Sequence, residues 1–395
     1  MLGALVTDRN YMWWAALPVM LGMFIVIMDG SIVNVALPRM IGAFRSDLDT
    51  MEWVTTGYMI AAAVMMPTTG FLGDRFGRKR LFAVTLLLFT GVSVLCGFAW
   101  DTGSLIVLRV LQGLAGGAIQ PVGQAILFEA FPPNRRGLSM ALVGVGAMLA
   151  PTLGPSVGGL IVEYLDWRWI FFVNLPVGLI AGFFALTVLR ESERRAIPFD
   201  LAGFGLMTLF LSSLLLAISQ GNEKGWESPY IATLFSVAAI SFAAFLGTVL
   251  RGRDPIVDLR LYQVATYTAG TLAGVAMGIG LFSGVFLMPV YFQTVMRFDP
   301  FVTGLLLMPS GLAMGLVMPL SGILVNKLDP RVQISAGFAL MALSFFGQTG
   351  VTAATSAWIA VAWIVLRSLG MALVFPAMNQ ASLGAVPIAK IGQAS

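Results

Sequence analysis

Long apolar runs, nearly free of charge, recur along the chain and alternate with short segments that collect Lys, Arg, Asp and Glu. A bilayer core takes roughly 20 apolar residues per helix. The runs at 53–73, 81–100, 110–128, 137–162, 169–189, 201–222, 228–250 and 300–326 fit that length. Residues 10–38 form a span interrupted only by Asp29, and 261–296 hold one long span with apolar flanks. Residues 332–366 run on too far for one helix. The cluster Thr352, Ala353, Ala354, Thr355, Ser356 divides them, and the second piece continues past Arg367 to about Gln380. The pattern predicts twelve membrane helices. Transmembrane strands alternate apolar and polar positions. These runs are continuously apolar, which points away from a β-barrel and to an all-α integral membrane protein.

Composition agrees. Apolar residues make up 58% of the 395 and charged residues 11%, against about 45–50% and about 25% in soluble domains. Mean hydropathy is +0.89. No soluble fold hides that much apolar surface and still covers itself with polar groups. The net charge of +4 sits in short loops, so the basic pI gives no sign of a nucleic-acid partner. Histidine is absent, which excludes His-ligated zinc or haem, Ser–His dyads and histidine proton relays. The single cysteine, Cys96, forms neither an internal disulfide nor a metal site alone. Transport, a pore or a structural scaffold remain, and no enzymatic constellation is present.

Lys and Arg set the orientation. With the N-terminus in the cytoplasm, 16 lie on the cytoplasmic side, 5 outside and 2 within spans. The cytoplasmic clusters are Arg75–Arg78–Lys79–Arg80, Arg135–Arg136, Arg190–Arg194–Arg195 and Arg251–Arg253–Arg260.

An internal repeat organises the spans. Met66-Pro-Thr-Thr-Gly-Phe-Leu-Gly-Asp-Arg75 matches Met318-Pro-Leu-Ser-Gly-Ile-Leu-Val-Asn-Lys327 at an offset of 252, and Ile106-Val-Leu-Arg109 recurs as Ile364-Val-Leu-Arg367 at 258. Two matches in the same order at nearly the same offset indicate related halves, with a substrate path at their interface. The expected units are a six-helix bundle over 1–190, a linker with two inserted spans over 191–260, and a second bundle over 261–395. The second bundle holds counterparts of four of the six spans in the first. Repeat logic therefore expects two more helices beyond Ser395, and a C-terminally incomplete chain.

Several residues carry candidate chemistry. Asp29 sits inside the first span, where a carboxylate costs at least about 2.5 kcal/mol on insertion scales. Such a group pairs, faces a wet cavity or holds a proton. It serves either as a proton or cation carrier or as a structural tether. Arg109 in the fourth span stays charged and needs an acceptor: Asp29 across the bundle, Gln112 or helix carbonyls. It either tunes a nearby carboxylate or ties helices together. Arg367, its repeat counterpart, sits near enough to the cytoplasmic half to snorkel, so a structural role is expected there. In the loop Gly70-Phe-Leu-Gly-Asp74-Arg75-Phe-Gly77-Arg78-Lys79-Arg80, Gly77 permits a tight turn. Asp74 and the basic residues can form a charge network at the cytoplasmic mouth, or a plain positive-inside anchor. Gly144, Gly146, Pro151, Gly154, Pro155, Gly158 and Gly159 crowd the fifth span, where small residues allow close contact and prolines kink or hinge a helix. Asn34, Gln112, Gln120 and Gln124 are polar residues within spans and candidates to line a pocket. The 22 Met and 28 Phe suit an adaptable pocket only weakly, since most such residues fill cores or face lipid.

Together these segments resemble the major facilitator superfamily, in particular the fourteen-span drug:proton antiporters of the EmrB/QacA type. Met28-Asp29-Gly30-Ser31-Ile32-Val33-Asn34-Val35-Ala36-Leu37-Pro38 is similar to the family's first-span pattern, departing at Met28 and Ser31. Gly70 to Arg80 matches the superfamily loop motif, and Leu108-Arg109-Val110-Leu111-Gln112-Gly113 its fourth-span motif. Ala150-Pro151-Thr152-Leu153-Gly154-Pro155-Ser156-Val157-Gly158-Gly159 resembles the antiporter motif. Trp167-Arg168-Trp169-Ile170-Phe171-Phe172-Val173-Asn174-Leu175-Pro176 and Pro255-Ile256-Val257-Asp258-Leu259 are further likenesses, the latter leaning toward EmrB.

The resemblance implies a major facilitator fold with twelve of an expected fourteen helices. It implies export of hydrophobic, often cationic compounds in exchange for protons, by alternating access across a bacterial cytoplasmic membrane, with the proton gradient in place of any cofactor. It assigns Asp29 and Arg109 to proton coupling, and Gly70, Asp74, Arg75, Gly77, Arg78, Lys79 and Arg80 to the cytoplasmic gate. It makes Pro151, Gly154, Pro155, Gly158 and Gly159 a hinge. EmrB-like members work with a periplasmic adaptor and an outer-membrane channel, whereas QacA-like members act alone. Two other readings stay open: a transporter of one metabolite or peptide, and a non-transporting scaffold.

Overall fold

Acidic residues at loop ends set where many helices begin. In the computed structural model, which describes residues 7–8, 10–194, 200–251, 258–387 and 391, Asp47, Asp101, Asp200, Asp299 and Asp329 each accept a backbone N–H at the start of a helix. Such caps satisfy donors that the helix itself leaves unpaired. Asp101 and Ser104 form a reciprocal capping box. The backbone hydrogen bonds from Thr50 and Ser104 hold the carboxyls of Asp47 and Asp101 below the ordinary carboxylate range.

Fourteen α-helices follow among the described residues. They are α1 (Tyr11–Phe44), α2 (Leu48–Met65), α3 (Thr69–Phe76), α4 (Arg78–Gly97), α5 (Thr102–Ala130), α6 (Arg136–Tyr164), α7 (Trp169–Phe172), α8 (Asn174–Val188), α9 (Leu201–Lys224), α10 (Pro229–Arg251), α11 (Ala265–Val290), α12 (Pro300–Leu324), α13 (Pro330–Gln348) and α14 (Ala357–Gly384). Among the described residues, α2 with α3 and α7 with α8 are broken halves of single rods, so the chain makes the twelve rods that the apolar pattern predicts. Eight helices among the described residues are long and apolar enough on their own to cross a bilayer. The break between α2 and α3 is a 3-10 turn at Met66–Thr68 around Pro67, whose missing N–H interrupts the ladder. Gly77 ends α3 at φ 92° and starts α4 directly, a conformation that favours glycine.

One bundle is formed by α1–α8. In it α1 packs on α5, α6 and α8, and α5 packs on α2 and α4. The pair α9–α10 packs on itself and touches α2 through Thr56 and Ser219, whose hydroxyls lie 3.4 Å apart. In the remaining part, α14 lies against α11, α12 and α13. Helix α6 stands between the two groups. One side meets α1 and the other meets α12 and α14. Glycines make these contacts possible. A Cβ on Gly154 would strike Ser31 of α1, and one on Gly158 would strike Ile32. Across the other face, Gly137 and Gly322 approach each other's carbonyls, and Gly144 faces Met318 and Phe375. Large exposed apolar side chains such as Leu88, Val107, Leu316 and Phe346 suit lipid contact on the outside of the rods.

Two segments in the sequence analysis fall partly outside the described residues: Arg195 of its cluster, and Arg253 with Pro255 to Val257.

Candidate functional site

The close seating of α5 on α2 determines where Arg109 reaches. Gly113 and Gly117 meet the carbonyls of Tyr58 and Ala62 with no room for a side chain. The two helices therefore run near enough for Arg109 to donate from Nε to the Val54 carbonyl at 3.1 Å. Its guanidinium lies 4.1 Å from the Tyr58 ring centre, a cation–π contact. From there Nη1 donates to Asp29 Oδ2 at 2.5 Å and to Gln112 Oε1 at 2.7 Å. Neither Asp29 nor Arg109 has any exposed surface.

The carboxylate of Asp29 takes two more donors. Gln112 Nε2 lies 3.2 Å and Asn174 Nδ2 lies 2.8 Å from Oδ1. Asn174 also donates to Ser93 Oγ at 3.0 Å, which in turn donates to the Phe171 carbonyl at 3.0 Å. Four elements thus converge on one buried carboxylate: α1 supplies it, α5 gives the cation and the amide, α8 a second amide, and α4 anchors that amide. An unpaired ion in this position would cost several kcal/mol, and Arg109 with the two amides supplies the charge and hydrogen bonds that compensate it. The three acceptors offered by the sequence for Arg109 are all used. Asn174 and Ser93 had no assigned role. The signals for Asn174 are a polar residue inside an apolar segment and its place in the Trp167–Pro176 stretch that resembles the family.

The loop between α3 and α4 forms a separate charge network. Arg78 is buried, donates to Asp74 Oδ1 at 3.3 Å and pairs with Glu129 at the end of α5. Its backbone N–H donates to Ser192 Oγ at 3.0 Å, and that of Lys79 to Glu191 Oε1 at 3.1 Å. Glu191 also fills the space over Gly77. Gly70 and Asp74 are buried, Lys79 is half-buried, and Arg75 and Arg80 are exposed. The Arg75 guanidinium lies 5.8 Å from the rings of Phe71 and Phe76. Glu129, Glu191 and Ser192 were not among the sequence candidates.

Pro151 and Pro155 lie within an unbroken α6. Gly154 and Gly158 press on α1, whereas Gly159 has open space around it. The four pocket candidates do not come together as one set. Gln112 belongs to the Asp29 network, and Asn34 is exposed and accepts from Thr55 at 3.3 Å. Gln120 is half-buried. Gln124 is buried and donates to Asn379 of α14 at 2.7 Å, across the two helical groups. Arg367 does not snorkel: it is only 5% exposed and its guanidinium presses on Gly284 of α11. An apolar run shows depth along a helix but not which way a residue faces.

Comparison with known proteins places these features in one family. The family model described as Major Facilitator Superfamily matches residues 19–395. The multidrug transporter protein MdtP of Bacillus subtilis (strain 168) is 33% identical over 363 residues, covering 91% of this chain and 67% of that protein. The multidrug export protein EmrB of Haemophilus influenzae is 32% identical over 379 residues, covering 95% of this chain and 74% of that protein. The crystal structure of a double-Trp XylE mutant superposes with a TM-score of 0.68 at 15% identity, covering 98% of this chain and 84% of the other. At that identity the likeness concerns the fold alone.

Proposed function

The chain belongs to the major facilitator superfamily, and from that premise we propose that it exports hydrophobic, often cationic compounds in exchange for protons. Its class is a multi-pass membrane transporter of small molecules rather than an enzyme. The observation that carries the proton-coupled reading is the buried Asp29–Arg109 pair with Gln112 and Asn174 around it. A proton on Asp29 would cancel the charge that Arg109 is paired with and so weaken the hold of α5 on α1. Arg109 then needs another acceptor, and it already touches the Val54 carbonyl and Gln112. Protonation of Asp29 is thereby tied to movement of α1 against α5. Helix α6 packs on α1 through Gly154 and Gly158 and on α12 and α14 from its other side, so it can pass that movement to the second half. On this reading residues 1–190 and 261–395 are the moving halves, and 191–260 carry two accessory spans. Gly70, Asp74, Arg75, Gly77, Arg78, Lys79 and Arg80 act as the cytoplasmic gate, and Pro151, Gly154, Pro155, Gly158 and Gly159 as the hinge.

The proposed setting is a bacterial cytoplasmic membrane with the N-terminus inside, as the Lys and Arg distribution supports. The proton gradient takes the place of a cofactor. In a Gram-negative cell the proposed partners, by resemblance to EmrB-type members, are a periplasmic adaptor and an outer-membrane channel; as a QacA-like member the chain acts alone. Ethidium efflux from cells that produce the chain tests the reading. Efflux that collapses with an uncoupler is expected. Efflux that persists at full rate without a proton gradient would overturn proton coupling, and no efflux of any hydrophobic cation would overturn the drug-exporter reading.

A further inference from the structure

Helix α14 repeats α5, and α11 repeats α1. In the first half, Arg109 of α5 reaches across to Asp29, the nineteenth residue of α1. In the second half, Arg367 of α14 reaches across to the same level of α11, where the twentieth residue is Gly284. The guanidinium occupies the space that a side chain at 284 would fill. The repeat therefore keeps the cation and deletes its carboxylate.

Arg367 finds little in exchange. Its Nε and Nη1 are buried and have no hydrogen-bond partner among the described residues. From Leu259 to Ser395 the sequence holds only two acidic residues, Asp299 and Asp329. Both cap the first turns of α12 and α13, so neither is available to Arg367. The Phe345 ring centre lies 6.0 Å away, at the edge of cation–π reach. Met341 and Phe345 pack over Gly280, one turn from Gly284. A buried guanidinium with unpaired donors is an anion receptor, since a bound carboxylate supplies a charge-assisted hydrogen bond to a donor that the described residues leave unpaired. Intramembrane charges of this kind mark ligand pathways.

We propose that Arg367, Gly284 and Phe345 form a binding site for the carboxylate of a hydrophobic monocarboxylic acid, with the acyl chain along Met341 and Phe345. The inference rests on the transport reading only in taking that acid as cargo. Binding is measured without a gradient, so its failure and the failure of proton coupling are read separately.

Equilibrium binding of radiolabelled octanoate to the purified full chain in nanodiscs tests the site, with methyl octanoate as the neutral competitor. Octanoate is expected to bind at least about ten-fold more tightly than its ester, the preference that one charge-assisted pair supplies. Arg367→Gln should erase the preference and Arg367→Lys should keep part of it. Gly284→Asp, which restores a built-in carboxylate, should weaken octanoate binding while leaving the ester unaffected. That contrast separates occupation of the site from misfolding. Equal binding of acid and ester by the unaltered chain would overturn the proposal, as would a preference that survives Arg367→Gln. Preferential binding with no octanoate export would leave the site standing and remove the acid as cargo.

Discussion

Arg109 Nη1 stands 2.5 Å from Asp29 Oδ2, and both side chains are wholly buried. The two residues are separated by 80 positions, so the contact exists only because α5 is seated on α2 and α1 together. Their charges cancel inside the bundle, and each is the reason the other can be there.

That relationship predicts strong coupling between the two positions. Arg109→Gln leaves Asp29 buried without its cation and should cost about 3–5 kcal/mol, read as a lower melting temperature in detergent. Adding Asp29→Asn to Arg109→Gln should recover much of the loss, because both charges are then gone. Additive losses would show that the pair is not the stabilising unit.

The contacts of α6 predict a contrast between two glycines in the same motif. Gly154 meets Ser31 of α1, whereas nothing lies near a Cβ on Gly159. Gly154→Val should overpack the α1–α6 contact and cost about 1–3 kcal/mol. Gly159→Ala should stay within about 0.5 kcal/mol of the parent. Melting temperatures and efflux rates of the two variants check this.

Gln124 and Asn379 join the two helical groups at the cytoplasmic ends of α5 and α14 under the proposed orientation. The one native cysteine, Cys96, is buried, so introduced thiols report cleanly. A chain with Gln124→Cys and Asn379→Cys should be joined by a short bis-methanethiosulfonate reagent, which spans more than a disulfide can, and lose transport, which a reductant restores. A cross-linked protein that still transports at the parent rate would mean that the two ends need not separate.

Outside the membrane, the cap at Asp101 makes a pH prediction. The Ser104 backbone N–H lowers the carboxyl's folded-state pKa. The cap's contribution is thus present above the unfolded-state value and is lost as pH falls through the lowered one. Hydrogen-exchange protection at the start of α5 should weaken only in acid. Asp101→Asn, which caps without titrating, should remove that acid limb.

Much of the fold is written in local signals. The polar cluster at 352–356 separates α13 from α14, and Gly77 marks the junction of α3 and α4. Helix α1 is where local reading stopped short. The expected end lies at Pro38, yet the helix continues to Phe44, where Arg45 turns it off at φ 51°. A membrane helix tolerates an interior proline because its surroundings satisfy the freed groups.

The site was legible in part. Asp29 and Arg109 stand out because charge is rare within apolar runs. Which acceptor Arg109 takes depends on the rotation of α5, set by Gly113 and Gly117 against α2, and no run of hydropathy encodes that. Asn174 is hidden because amides in spans are common and its partner is 145 positions away. Arg367 reads as a snorkelling residue by depth alone, and only packing against Gly284 reveals its burial.

Gradient-driven transport by the full chain in sealed vesicles tests proton coupling through Asp29 most directly. An imposed pH gradient should drive ethidium uphill through the parent chain, with protons moving the other way. Asp29→Asn should abolish the uphill movement while ethidium binding to the purified variant persists. Full gradient-driven accumulation by Asp29→Asn would contradict the account, because Asp29 would then not carry the proton.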